Sequence, residues 1–297
     1  MEVFQGTTDF YTDGPAAVTL GKFDGVHLGH QKLIRRIRQM ERDGMRSVVF
    51  ALNARTGPML LTMDEQKDAA ERMGVSCLIQ CPFVPAISGM SPEHFAEQIL
   101  VKRLHAGYIA VGRDFRFGYR REGDAFMLKE LGKQHGFRVE VVEKEKYGDR
   151  DISSTFVREA VGQGKMELAA KLLGRPFSVK GVVMHGRRIG RTLGMPTVNL
   201  IPPEEKILPP NGVYASRTVI EGQVYQGVTN IGYKPTVGEN FRGVETYLFD
   251  VDEDLYGKEI VTQLCRFQRP EQKFPSLELL KEQMHRDISS GKEYFLG

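Results

Sequence analysis

The chain has 297 residues, 41% hydrophobic and 27% charged, which is the balance of an ordinary globular protein and not of a disordered one. At about 150 residues per domain, two domains are expected. No run approaches the ~20 consecutive apolar residues of a membrane-spanning helix, the start Met1-Glu2-Val3-Phe4-Gln5 has neither the basic nor the apolar stretch of a secretory leader, and a net charge of +3 is too even to mark a polyanion-binding surface.

The cysteines are Cys77, Cys81 and Cys265, an odd set for a disulfide framework. Cys77 and Cys81 have three residues between them, not the two of a zinc knuckle. Buried free thiols in a reducing cytoplasm are expected.

The first half alternates strand and helix signals. Ala17–Leu20 reads as a short buried strand ended by Gly21, and His30–Arg42 as a helix with Leu33, Ile34, Ile37 and Met40 on one face. Ser47–Leu52 is a second apolar run, Asp64–Met73 a helix, and Cys77–Ile79 a third strand. Pro92–Leu104 is helical, Tyr108–Gly112 is strand and turn, and Arg138–Val142 is another strand. Such alternation predicts a parallel sheet with crossover helices.

Helical signals at Ser153–Val161 and Lys165–Leu173 end at Gly174-Arg175-Pro176, after which the apolar period becomes two. The chain therefore divides into residues 1–174 and 175–297. Strands are expected at Val179–Met184, Val213–Ile220, Val224–Ile231, Val244–Val251 and Glu259–Phe267, forming an antiparallel sheet or small barrel. A terminal helix follows, capped by Ser276, with Leu277, Leu280, Met284 and Ile288 on one stripe.

The first strand runs into Gly21-Lys22-Phe23-Asp24-Gly25-Val26-His27-Leu28-Gly29-His30 and then a helix. Ligands of open α/β sheets bind at such a carboxyl end, and a helix amino end favours an anion. His27 and His30 can donate to phosphate oxygens and stabilise charge on a transferring nucleotidyl group; Gly29 permits close backbone approach. His-x-Gly-His in this setting resembles the signature of nucleotidyltransferases and class I aminoacyl-tRNA synthetases, but the synthetases' Lys-Met-Ser-Lys-Ser signature is missing. Ser153, Ser154 and Thr155 at a helix start, with Arg158 on its first turn, suit a triphosphate clamp or, more simply, an ordinary cap with a surface arginine. Between these segments, Asp114-Phe115-Arg116-Phe117 mixes aromatics and arginine, as a base- or flavin-stacking loop does.

In the second half, Gly181–Arg188 nearly fits a Walker A spacing, but Lys-Ser/Thr is absent and the context is β, which excludes a P-loop. Gly190-Arg191-Thr192-Leu193-Gly194-Met195-Pro196-Thr197-Val198-Asn199-Leu200 follows. Gly190, Arg191 and Gly194 suit phosphate contact, and Thr197 and Asn199 alternate onto one side as hard oxygen donors for Mg²⁺ held with ATP. The same segment also reads as a plain turn entering a strand. Glu245 is expected to share an apolar strand face with Tyr247, Phe249 and Val251, where a carboxylate is costly unless paired and is tuned toward general-base work.

Taken in order, Gly-Lys-Phe-Asp-Gly-Val-His-Leu-Gly-His, Gly-Arg-Asp-Phe-Arg-Phe-Gly, Ile-Ser-Ser-Thr-Phe-Val-Arg, Leu-Leu-Gly-Arg-Pro, Gly-Arg-Thr-Leu-Gly-Met-Pro-Thr-Val-Asn-Leu, Asn-Gly-Val-Tyr and Asp-Leu-Tyr-Gly-Lys resemble the prokaryotic bifunctional riboflavin kinase/FAD synthetase family, from about Ala17 to Asp287. The resemblance implies an α/β, Rossmann-like nucleotidyltransferase domain that transfers AMP from ATP to FMN, giving FAD and pyrophosphate. His27, His30, Ser154 and Arg158 would contact ATP, and Gly21, Phe23, Asp24 and Gly25 would belong to the same nucleotide loop. It implies a second, β-barrel riboflavin kinase domain with a terminal helix, in which Thr197 and Asn199 bind Mg²⁺ and nucleotide and Glu245 is the general base. Riboflavin, FMN and ATP are then the partners; neither a membrane nor a nucleic acid is expected. Where the family carries Pro-His-Pro this chain has Leu52-Asn53-Ala54-Arg55-Thr56-Gly57-Pro58. Lys22 replaces a common asparagine and Met195 a phenylalanine. A one-activity paralogue, or a flavin-responsive regulatory or RNA-binding protein on the same scaffold, are the alternatives; the basic helix Lys32–Arg38 is the feature favouring the last.

Overall fold

The computed structural model describes residues 1–53, 57–185, 194–236, 239–251 and 253–296. The chain forms two compact units, Met1–Ser154 and Thr155–Gly297. The helix Met166–Leu173 lies against the strands Phe177–Val182 and Glu259–Pro270, and Glu167 faces Arg266 at 3.8 Å.

The first unit is built on a six-stranded, wholly parallel sheet. Its order is Glu2–Gln5, Cys77–Pro82, Arg46–Asn53, Ala16–Gly21, Ala106–Gly112, Arg138–Val142. Strand side chains alternate between two cores. Val18, Leu20, Val48, Phe50 and Ile79 enter one; Ala17, Val49, Ala51, Leu78 and Ala110 enter the other, under the helix Leu28–Gln39. Burial on both faces explains why these strands read as continuous apolar runs. The chain winds outward from Ala16–Gly21 in one direction and returns to place Ala106–Gly112 on its other side. The order therefore reverses between these two central strands, and a crevice opens beyond their carboxyl ends.

The second unit carries a six-stranded antiparallel sheet, ordered Phe177–Val182, Glu259–Pro270, Gly212–Ile220, Gln223–Thr236, Glu239–Leu248, Thr197–Leu200. It curls toward closure: a Cβ placed on Gly181 would lie 3.6 Å from Leu200, and Met184 bridges Asn199. Five of these strands were expected; Thr197–Leu200 is the sixth. The inner face buries Tyr214, Ile231, Val244, Leu248 and Leu264 with a line of hydroxyls, in which Thr229 Oγ1 lies 2.7 Å from Ser216 and 2.8 Å from Thr246. On the outer face the helix Leu277–Leu296 packs Ile288 and Phe295 against Val213, Val228 and Phe249. The Ser276 hydroxyl accepts from the Leu279 amide at 3.3 Å, as a cap does.

Candidate active sites

In the first unit the loop after Ala16–Gly21 turns sharply. Phe23 (φ 49°), Gly25 (φ 85°) and Val26 (φ 41°) all occupy the left-handed region, and two non-glycine residues there store strain of the order of ~1–3 kcal/mol each. The surroundings hold the loop in place. Asp24 is buried, and its Oδ1 accepts from the Leu60 and Leu61 amides at 2.8 and 3.2 Å. Gln66 Nε2 donates to the Lys22 carbonyl at 3.0 Å, and the Ser154 hydroxyl donates to the Asp24 carbonyl at 2.8 Å. Asp24 and Ser154, both expected to bind phosphate, thus also hold the loop's shape.

His27 is the N-cap of the helix Leu28–Gln39. It is buried, and its Nδ1 accepts from the His30 amide at 3.4 Å, which places its proton on Nε2. The His27 and His30 rings stack at 3.7 Å, and Phe23 lies 4.9 Å from His30. A Cβ on Gly29 would lie 3.1 Å from the His27 ring, so a larger residue there would push that ring aside by a few tenths of an ångström. Burial, and then the neighbouring His27, hold the His30 imidazole well below its usual value of 6.5. His30 Nδ1 is buried with no hydrogen-bond partner among the described residues.

The loop after the adjacent parallel strand Ala106–Gly112 leaves the same edge of the sheet. Phe117 is buried in the sheet core, and Phe115 stacks on it at 5.6 Å and 13°. Asp114 pairs with Lys144 at 2.9 Å and Arg116 with Asp124 at 2.9 Å. Exposed pairs of this kind are weak and readily exchanged for a ligand. Of the four residues, Phe115 offers the aromatic surface and Phe117 is committed to packing.

Ser154 begins the helix Ser154–Gly162, which carries Thr155, exposed, and Arg158, half-buried, one turn on. Asn53 ends its strand, whereas Arg55 lies outside the described residues.

In the second unit the register sets the site. Asn199 lies opposite Glu245 on one flank and Thr197 opposite Tyr247. The Thr197 hydroxyl donates to Glu245 Oε1 at 2.7 Å. Glu245 shares its strand face with Tyr247, and that face is the outer one. The apolar inner face is Val244, Thr246 and Leu248, and the strand ends at Leu248. Glu245 points outward and is half-buried. Tyr247 and Phe249 are apolar because the terminal helix covers the neighbouring part of the outer face. Gly194 is exposed with φ 77°; Gly190 and Arg191 lie outside the described residues. Met195 is buried, as its apolar character requires.

Thr197, Asn199 and Glu245 together present hydroxyl, amide and carboxylate oxygens on one face. A hydroxyl that donates to a carboxylate still has lone pairs for a cation. No group of three His, Cys, Asp or Glu is gathered for a metal among the described residues, so a hard divalent ion here would share its coordination with a substrate's phosphates.

Comparison with known proteins agrees with this division. A family model of FAD synthetase matches residues 10–156 and one of riboflavin kinase matches 173–295. The bifunctional riboflavin kinase/FMN adenylyltransferase of Haemophilus influenzae is 35% identical over 291 residues, covering 94% of each chain. That of Escherichia coli K12 is 36% identical, covering 94% of this chain and 92% of its own. A solved structure from Streptococcus pneumoniae, described as a macrolide-efflux protein, is similar with a TM-score of 0.85 and 29% identity, covering 96% of both chains. Among the described residues, no helix is long and apolar enough to cross a membrane. With both halves matched in order and full-length relatives above one-third identity, the chain belongs to the bifunctional riboflavin kinase/FMN adenylyltransferase family.

Proposed function

We propose that each unit carries one of the family's two steps, and that the residues gathered above perform them. In the first unit, a phosphate oxygen of FMN attacks the α-phosphorus of ATP, and pyrophosphate leaves. His27 Nε2 and the His30 ring donate to the phosphate oxygens as negative charge builds on them. The helix start at Leu28 and the glycines of the loop bring backbone amides to the same place. Asp24 and Ser154 keep the loop in its strained shape.

In the second unit, Glu245 takes the proton of the ribityl 5′-hydroxyl, whose oxygen attacks the γ-phosphorus while ADP departs. The Thr197 hydroxyl orients Glu245. Thr197 and Asn199 would hold Mg²⁺, which when bound neutralises phosphate charge. We assign the protein to a reducing cytoplasm, a reading that the buried free thiols Cys77, Cys81 and Cys265 support.

The observation that carries this reading is the 2.7 Å bond between Thr197 and Glu245, with Asn199 opposite the same carboxylate. It sets a proton acceptor beside hard oxygen donors in the half matched by riboflavin kinase. With riboflavin and MgATP, chromatography of the flavins should show FMN and then FAD. A protein that leaves both riboflavin and FMN unconverted would refute the proposal.

A further inference from the structure

The outer face of the barrel carries a row of opposed residues across adjacent strands: Asn199, Glu245, Asn230, Val213 and Arg269. Opposed residues of an antiparallel sheet share a face, with Cβ atoms about 4.5–5.5 Å apart. The two ends of the row differ. At one end Arg269 is gripped by Asp287 of the terminal helix, Nε to Oδ1 at 2.8 Å and Nη2 to Oδ2 at 2.7 Å, and Val213 is buried beneath that helix. At the other end stand Asn199, Glu245 and Thr197. Asn230 lies between the two.

Asn230 is half-buried, and its carboxamide has no hydrogen-bond partner among the described residues. Its apolar neighbours are Val213 opposite and Val228 two residues back. Two residues on, Gly232 has no side chain, and the Glu271 carboxylate fills the space a Cβ would take. A carboxamide in mid-strand, with both a donor and an acceptor unused and a carboxylate to either side, serves neither the core nor the helix contact. It matches a ligand that both donates and accepts, as a polyol does.

Direction follows from the chemistry. In-line phosphoryl transfer places the acceptor hydroxyl opposite the leaving group. If the phosphates lie toward Thr197 and Asn199, the acceptor reaches Glu245 from the opposite flank, where Asn230 is. We infer that Asn230 is a specificity residue for the acceptor: its carboxamide binds the secondary hydroxyl next to the one that Glu245 deprotonates. This rests on the kinase reading above.

The test uses the full-length protein and riboflavin phosphorylation. Asn230→Ala should raise the KM for riboflavin about tenfold, the worth of one hydrogen bond. It should leave the KM for ATP within about twofold and FMN adenylylation unchanged. 4′-Deoxyriboflavin, used as a competitor, should inhibit wild type and variant with the same Ki, because the lost partner is absent from it. Asn230→Ser, which keeps a donor and an acceptor, should recover part of the affinity, and it carries the same test if the alanine variant does not fold. An unchanged riboflavin KM overturns the inference, as does a Ki for the deoxy compound that rises as much as that KM. A wild-type protein that cannot phosphorylate riboflavin would instead overturn the kinase reading on which it stands.

Discussion

Replacing Glu245 by Gln changes one thing at the kinase site. The amide has nearly the volume of the carboxylate, and its oxygen can still accept the Thr197 hydroxyl now held at 2.7 Å. Because Glu245 is half-buried on the outer face and lies outside the hydrophobic interior, removing its charge should alter folding stability little. What disappears is the capacity to accept a proton from the attacking hydroxyl. General-base catalysis contributes about 10²–10⁴-fold, or roughly 3–5.5 kcal/mol of barrier. The expected result is a fall of that size in kcat for riboflavin phosphorylation, with the melting temperature and the rate of FMN adenylylation unchanged. The assay is separation of FMN and FAD after incubation with MgATP and either riboflavin or FMN. A fall below tenfold would remove Glu245 from the role of base. An equal loss of both activities would show that the substitution disturbs the whole chain, contrary to the placement of the carboxylate.

Three further outcomes follow from the structure. His30→Ala should lower FMN adenylylation by about 10²–10³-fold, the cost of losing one donor to developing charge, and leave phosphorylation intact; because the folded imidazole is held below 6.5 by burial, the unfolded chain binds the extra proton first, so stability is full above about pH 6.5 and declines as pH falls. Denaturation midpoints measured from pH 7.5 down to about 5.5 should show less decline in the variant, and identical slopes would contradict the burial argument. Asp287→Ala strips a buried carboxylate from the Arg269 guanidinium and from Gln283 Nε2 at 2.9 Å; at about 3 kcal/mol for a broken buried pair, calorimetry should show the melting temperature of the barrel unit down by roughly 6–12 °C, and no shift would mean the helix is held otherwise. Burial pushes the Cys77 thiol up to about 12 and the Cys81 thiol to about 11, so a disulfide reagent at about pH 8 should modify neither quickly until denaturant is added; one fast-reacting equivalent from either would count against the sheet core.

How much of this could be read from residues alone depends on what surrounds each segment. Strands buried on both faces, such as Ala16–Gly21 and Arg46–Asn53, announce themselves as apolar runs, and the loop Gly21–His30 carries its own punctuation. Glu2–Gln5 is an edge strand of four residues with exposed ends, too short and too polar to stand out. The helix Ala125–His135 went unread because Phe126 is 72% exposed and breaks the apolar stripe of Leu128 and Leu131. Glu245 was grouped with Tyr247 on an apolar face, but the sequence of its strand does not reveal that this face is the outer one, made apolar by a helix some thirty residues later. Asn230 sat unnoticed within the apolar run Val224–Ile231; only the pairing register sets it opposite Glu245. Periodicity finds elements, and long-range pairing decides what faces what.

The central claim is that the two steps depend on different residues, one set in each unit. Mixing full-length Glu245→Gln with full-length His30→Ala tests it directly, with riboflavin and MgATP as the only substrates. Each variant alone should stall, the first holding riboflavin and the second accumulating FMN. The mixture should produce FAD at a rate set by the intact site of each. Absence of FAD from a mixture of two folded variants would contradict the account.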